Sequence, residues 1–211
     1  MRGVFLTLEG GEGAGKTTQA ALLAERLREA GRAVILTREP GDTPLGAGLR
    51  RMLVEDSGDP PCGWAELFLY AADRAQHVER VVRPALERGA VVVCDRFADA
   101  TEAYQGWGRG LPLEAVRSVN RLATAGLTPH RTVLLDLPPN QGLRRALGRA
   151  QGASEVRFER EALAFHERVR RGYLEIARRE PGRVRVVDGT GPPGAVAERV
   201  WAVVRDLFEP P

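Results

Sequence analysis

The stretch GGEGAGKTT, residues 10–18, sets glycines around one ammonium and two hydroxyls at a spacing that suits phosphate chemistry. It fits the pattern G-x-x-x-x-G-K-[ST] from Gly10 to Thr17. Glycines let successive backbone N–H groups turn inward around an anion, and the N-terminus of a following helix adds partial positive charge. Gly10, Gly11, Glu12, Gly13, Ala14 and Gly15 would form the wrapping loop, with Thr18 in the first helical turn. Lys16 would reach the β- and γ-phosphates of a nucleotide such as ATP, and the Thr17 hydroxyl would bind Mg²⁺. Lys16 is the sole lysine among 31 basic residues. A compact ammonium fits a nest of backbone donors better than a planar guanidinium does. Glu12 is the odd member, an acid inside a loop built for anions.

Further groups of suitable chemistry lie downstream. VVVCDRF places Asp95 at the end of an apolar run, where its carboxylate could hold the Mg²⁺ water shell, and Arg96 follows as a phosphate contact. Tyr70 and Arg74 in ELFLYAADRAQH are four residues apart, hence on one helical face, so a ring and a guanidinium could take a base and its phosphate together. On its own that pair also describes an aromatic packed beneath a surface arginine. TREPGDTPLG opens with Arg38 at a strand end, and Arg50 lies on the helix after it. The segment 144–161 carries Arg144, Arg145, Arg149, Arg157 and Arg160 around two glycines, a composition that suits a mobile basic lid.

Short β-branched runs at 4–9, 33–37, 90–95, 132–137 and 184–188 would hold these groups at their ends. They are nearly continuous in hydrophobicity, as strands covered on both faces should be. Between them, helical periodicity covers 15–30, 44–55, 64–88, 112–125, 139–150, 155–180 and 194–208. This alternation predicts an α/β fold, a P-loop NTPase-like three-layer α/β/α arrangement with a doubly wound five-stranded parallel sheet. In such a sheet, ligands gather at the carboxyl ends of the strands, which brings Asp95 near the loop after the first strand. We read residues 1–211 as one kinase-like domain with a lid insertion at about 144–160.

Composition narrows the classes. With 43% hydrophobic and 28% charged residues and a net charge of +3, the chain reads as a globular protein with no nucleic-acid partner. No apolar run approaches the ~20 residues that span a membrane. MRGVFLTLEGG reaches glycine and glutamate too soon for a secretion signal, so a cytoplasmic location is expected. Cys62 and Cys94 lack metal-ligand spacing and read as reduced thiols.

EGGEGAGKTTQ, REPGDTPLG, LYAADRAQH, CDRFADATEAYQG, the basic lid and GYLEIA occur in this order over nearly the whole chain. The series resembles the thymidylate kinase family, P-loop enzymes that phosphorylate dTMP with ATP. The P-loop is generic; REPG, the AADRAQH run and DRF with AYQG are together specific. The resemblance implies that Tyr70 stands where the family has an aromatic, usually phenylalanine, that stacks on thymine. It implies that Arg74, Arg96 and Arg50 face the dTMP phosphate, that Thr101 and Gln105 approach the pyrimidine edge, and that Glu12 senses the deoxyribose 3′-OH. Because Gly11 and Gly13 flank Glu12, with no basic residue beside it, the resemblance puts the catalytic arginine in the lid, as in a bacterial subtype. Arg149 is the first choice, with Arg145 and Arg157 next. It also implies a homodimer. Ala47 and Val156 stand where the family has acids. Tyr173 resembles a substrate-proximal tyrosine, yet with Phe158, Phe165, Val169 and Ile176 it forms an apolar helical stripe that favours the core. The alternatives are a kinase for another nucleoside monophosphate, or a non-catalytic nucleotide-binding module. A guanine-reading N-K-x-D signature is excluded by the single lysine.

Overall fold

The computed structural model describes residues 3–55, 58–149, 157–159 and 161–208, with Arg149 described by its backbone alone. Five strands form one parallel sheet: β1 (Val4–Glu9), β2 (Val34–Arg38), β3 (Val91–Asp95), β4 (Arg131–Asp136) and β5 (Val184–Asp188), in the order β2-β3-β1-β4-β5. The connection leaving β1 runs toward β2 while that leaving its neighbour β3 runs toward β4, and between two such strands a doubly wound fold opens its ligand crevice. β1, β3 and β4 are buried along nearly their whole length, whereas the edge strands β2 and β5 alternate with exposed positions.

Helices cover both faces. α1 (Lys16–Glu29) and α9 (Pro193–Ala202) pack Leu23, Leu27, Val196 and Val200 against Leu6, Leu8, Val93, Val133 and Leu135. The other face of β1 presents Phe5, Thr7 and Glu9, all fully buried. That face is covered by α4 (Arg83–Glu87) and α8 (Leu163–Arg179), with α3 (Gly63–His77) and α6 (Leu113–Thr124) packed on each other beside them. α2 (Pro44–Val54) follows the β2 loop, and α7 (Pro139–Arg149) leads to the lid. α3 passes into α4 through a π-helical turn, Val78–Val82. Pro84 lies just beyond, and the wider turn accommodates a residue that cannot donate to the preceding carbonyls.

Two departures from sequence expectation matter for the site. Residues after β3 form a short α5 (Ala98–Thr101) that widens into a π-helical segment, Glu102–Gly108, where periodicity predicts nothing. Its glycines allow close approach: a Cβ on Gly108 would meet the Phe165 ring at 2.7 Å, and one on Gly106 would meet Leu113 at 2.6 Å. And α8 begins at Leu163, not at 155, because Phe158 folds inward beside Tyr104 and Phe165 and closes a turn there.

Candidate active site

The P-loop joins β1 to α1. Gly15 caps the helix with φ 94° and contributes no side chain, and no acid occupies the first turn. The first N–H groups of α1 therefore remain for an anion. The loop is also clamped from outside. Gly13, at φ 67°, and Gly142 of α7 lie so close that a Cβ on either would overlap the other strand of backbone, Gly142 against the Glu12 carbonyl. The lid helix and the P-loop thus start from one tight backbone contact.

Lys16 is 7% exposed, and its Nζ donates to the Gly11 carbonyl at 2.8 Å. Burial, with Arg96 nearby, holds its pKa below the ordinary lysine value against the opposing pull of Glu12, Asp95 and Glu9. The Thr17 hydroxyl donates to Asp95 Oδ2 at 2.5 Å. The other carboxylate oxygen, Asp95 Oδ1, is buried and has no partner among the described residues.

Beside the loop, across the ends of β1 and β3, lies a cavity of about 160 Å³. Seven of the predicted acceptor-side residues line it: Glu12, Arg50, Tyr70, Arg74, Arg96, Thr101 and Gln105. Arg38 does not. It is exposed at the end of β2, and the alternation of the strand sends Thr37 and Glu39 inward instead. Among the described residues Arg157 is the one lid arginine on the cavity wall; it ion-pairs with Glu66. Arg145 is exposed at the far side of the loop, its guanidinium 3.3 Å from the Gly189 carbonyl. The Arg149 side chain lies outside the described residues.

Arg96 governs the centre. It adopts φ 71°, an unfavourable conformation for a residue with a Cβ, which costs about 1–3 kcal/mol and clusters at functional sites. That backbone turns its guanidinium onto Glu12, 2.6 Å away, and over the Tyr104 ring at 4.9 Å. The Tyr104 hydroxyl donates to the same Glu12 oxygen at 2.7 Å. Burial would raise the Glu12 pKa, but Arg96, then Lys16 and the Tyr104 hydroxyl, hold it down at about 2. An ionised acceptor at this point suits a hydroxyl donor.

Arg74 differs from expectation in kind. It is 1% exposed, and four of its five N–H donors are engaged by protein: Glu39 at 2.9 Å, Asn120 at 2.8 Å, the Phe97 carbonyl at 3.1 Å and Thr101 at 3.0 Å. It braces the cavity wall from behind and has little left for a phosphate. Glu39 also binds His77 at 2.7 Å, completing a buried network under the β2 loop.

Sequence reasoning left Glu9, Glu39, Glu66 and Tyr104 unassigned. Glu9 is fully buried, accepting from the Phe97 N–H at 2.7 Å and the Tyr173 hydroxyl at 2.8 Å. Burial first, then Asp99, pushes its pKa up to about 8 against the opposing pull of Arg96. Tyr173 is itself 2% exposed, the core residue its helical stripe suggests. An acid ending an otherwise apolar run, as in VFLTLE, was the available signal for Glu9.

Known proteins resemble the chain along its length. Residues 8–200 match the family model described as thymidylate kinase. A thymidylate kinase of Synechococcus sp. (strain JA-2-3B'a(2-13)) is 56% identical over 201 residues, covering 95% of this chain and 94% of the relative. One from Thermomicrobium roseum is 52% identical over 205 residues, covering 97% and 96%. The crystal structure of thymidylate kinase from Ehrlichia chaffeensis superposes with a TM-score of 0.77 at 31% identity, covering 97% of this chain and 99% of that one.

Proposed function

The chain belongs to the thymidylate kinase family, and from that premise we propose how its residues divide the work. The reaction is ATP-dependent phosphorylation of dTMP to dTDP. Residues 10–18 hold the ATP phosphates and the 160 Å³ cavity holds dTMP. One observation carries this division: Glu12 belongs to the P-loop by chain position and is at once a wall of the cavity. Donor and acceptor sites meet at one residue.

In the acceptor site, thymine lies against Tyr70 with Thr101 and Gln105 at its edge. The sugar hydroxyl meets Glu12, and the phosphate meets Arg96 and Arg50. Arg74 acts by holding Thr101 and the Phe97 carbonyl in place. A dTMP phosphate oxygen then attacks the γ-phosphorus in line, the bond to the β-phosphate oxygen breaks, and ADP leaves. The attacking oxygen is already anionic, so positioning and charge neutralisation suffice. Lys16 and a lid arginine share the charge that develops.

Thr17 and Asp95 fit a Mg²⁺ site. They offer hard oxygen donors, and Asp95 Oδ1, which has no partner among the described residues, is an acceptor open to a donor or cation. Among the described residues no cluster of three or more His, Cys, Asp or Glu forms a metal cage. Mg²⁺ bound chiefly through substrate phosphates needs none. When bound it would neutralise phosphate charge during transfer. A homodimer and a cytoplasmic location complete the reading; exposed Met52, Trp64 and Phe68 on α2 and α3 supply apolar area for a partner copy. No helix among the described residues is long and apolar enough to cross a membrane.

The lid assignment is tested by steady-state kinetics on dTMP. Arg149→Ala should lower kcat by about 10³-fold or more with a modest change in KM, the scale of a phosphoryl-transfer arginine. If Arg145→Ala or Arg157→Ala does so instead, the role moves to that residue.

A further inference from the structure

Glu66 lies on α3, one helical turn before Tyr70, and is 1% exposed. No substrate group needs it, yet three side chains converge on its carboxylate. Arg109 reaches Oε1 through Nη2 at 3.0 Å and Nε at 3.1 Å, with Nε a longer 3.4 Å from Oε2, and Arg157 binds Oε1 as well. Gln105, from the π-helical segment, donates its Nε2 to Oε2 at 2.9 Å. The guanidinium contacts thus gather on Oε1, while the nearest donor to Oε2 is the amide.

An ionised carboxylate has acceptors only, so it dictates which end of the Gln105 amide it meets. The NH₂ end must turn to Glu66. The carbonyl, Oε1, is then the end left for the cavity that Gln105 lines, and no protein group among the described residues takes it. Gln105 is 1% exposed, so its amide cannot exchange ends by swinging into solvent.

Building on the acceptor site assigned above, we propose that Glu66 is a specificity-determining residue, fixing Gln105 as a hydrogen-bond acceptor so that the cavity takes pyrimidines bearing an N3–H. Thymine and uracil carry that donor. Cytosine presents a bare N3 lone pair at the same position, and would face an oxygen with an oxygen-like acceptor. A buried polar site that mismatches its ligand rejects it far more strongly than a mismatch of size does.

The oxygen partition makes the reasoning reversible. In Glu66→Gln, Arg109 and Arg157 can only donate, so they retain the carbonyl at the Oε1 position. The new NH₂ then occupies the Oε2 position and faces Gln105, whose amide must turn over and present NH₂ to the cavity. That arrangement suits the cytosine N3.

The experiment measures kcat/KM for dTMP and dCMP with ATP in the wild type, Glu66→Gln and Gln105→Met, with folding checked by circular dichroism. Wild type should favour dTMP. Glu66→Gln should reduce the dTMP:dCMP ratio by about 10–100-fold, with dCMP turnover rising in absolute terms. Gln105→Met, near in shape and without an amide, should lose preference while dCMP gains little. If Glu66→Gln lowers both substrates by one factor, Glu66 is structural and the proposal fails. Should that variant not fold, an unchanged ratio in Gln105→Met overturns the proposal by itself. A wild type that phosphorylates some other monophosphate in preference to dTMP would overturn the acceptor-site reading instead, before any variant is compared.

Discussion

Replacing Gly142 by alanine sets two effects of known sign against each other. Gly142 sits inside α7, where alanine is the better helix former by about 0.8–1 kcal/mol. Its Cβ, however, would overlap the Glu12 carbonyl oxygen, with Leu137 in ordinary contact at 3.6 Å. The obstructing atom is P-loop backbone and cannot swing aside, so the overlap should cost about 1–3 kcal/mol. The clash wins at all but its smallest cost: a net loss of up to about 2 kcal/mol corresponds to a melting temperature lower by up to about 8 °C for a chain of this size. The same helix contains a control. Gly148 has nothing among the described residues within 4 Å of the Cβ position. Gly148→Ala should gain most of the propensity term and melt about 1–3 °C higher. Because the Glu12 carbonyl must move to admit the methyl group, Gly142→Ala should also lose about tenfold or more in kcat, given that a 1 Å misplacement can cost ~10²-fold. Thermal melts and dTMP turnover on the two variants decide the matter. If Gly142→Ala melts at or above the wild type, as Gly148→Ala does, the clamp between lid helix and P-loop carries no energy and the reasoning is wrong.

Two further outcomes are expected. Lys16→Ala should cut turnover by about 10²–10³-fold or more while the melting temperature stays near that of the wild type, as measured by a coupled ADP assay; near-normal activity would remove Lys16 from the phosphate site. Glu9 should make stability depend on pH. Its carboxyl titrates near 8 when folded and near 4.5 when unfolded, so the folded state binds more protons between those values. That contribution is full below about pH 4.5 and is lost as pH rises through about 8. Glu9→Gln cannot titrate, so denaturant melts should show its stability gaining on the wild type across this window, and a constant difference would contradict the raised pKa.

Much of the site was legible because phosphate chemistry leaves its mark in local sequence. The loop at 10–18 is contiguous, and apolar runs fix the strands that deliver Asp95 and Arg96 to within a residue. What was not legible depends on approach between distant segments. The helix over 98–108 has two glycines and no 3.6-residue stripe; it is held by Phe165, Val169 and Leu113 packing where a side chain would not fit. Arg74 reads in sequence as a free cation, and only the fold places Glu39, Asn120 and Thr101 around it. Arg38 and Glu39 were separable in principle, since alternation along β2 lets only one of two neighbours face inward. Glu66 gave no signal, because its importance lies in which oxygen meets which partner.

Lys16 is the chain's single side-chain amine, and its burial against Gly11 shifts it toward the neutral, nucleophilic form. Amine-selective reagents therefore have one side-chain amine to find, at the bottom of the nucleotide nest. The rate at which that amine is modified becomes a direct gauge of whether the nest is filled, readable by mass spectrometry without tags or engineered probes, and a digest at lysine cuts the molecule at its phosphate site and nowhere else.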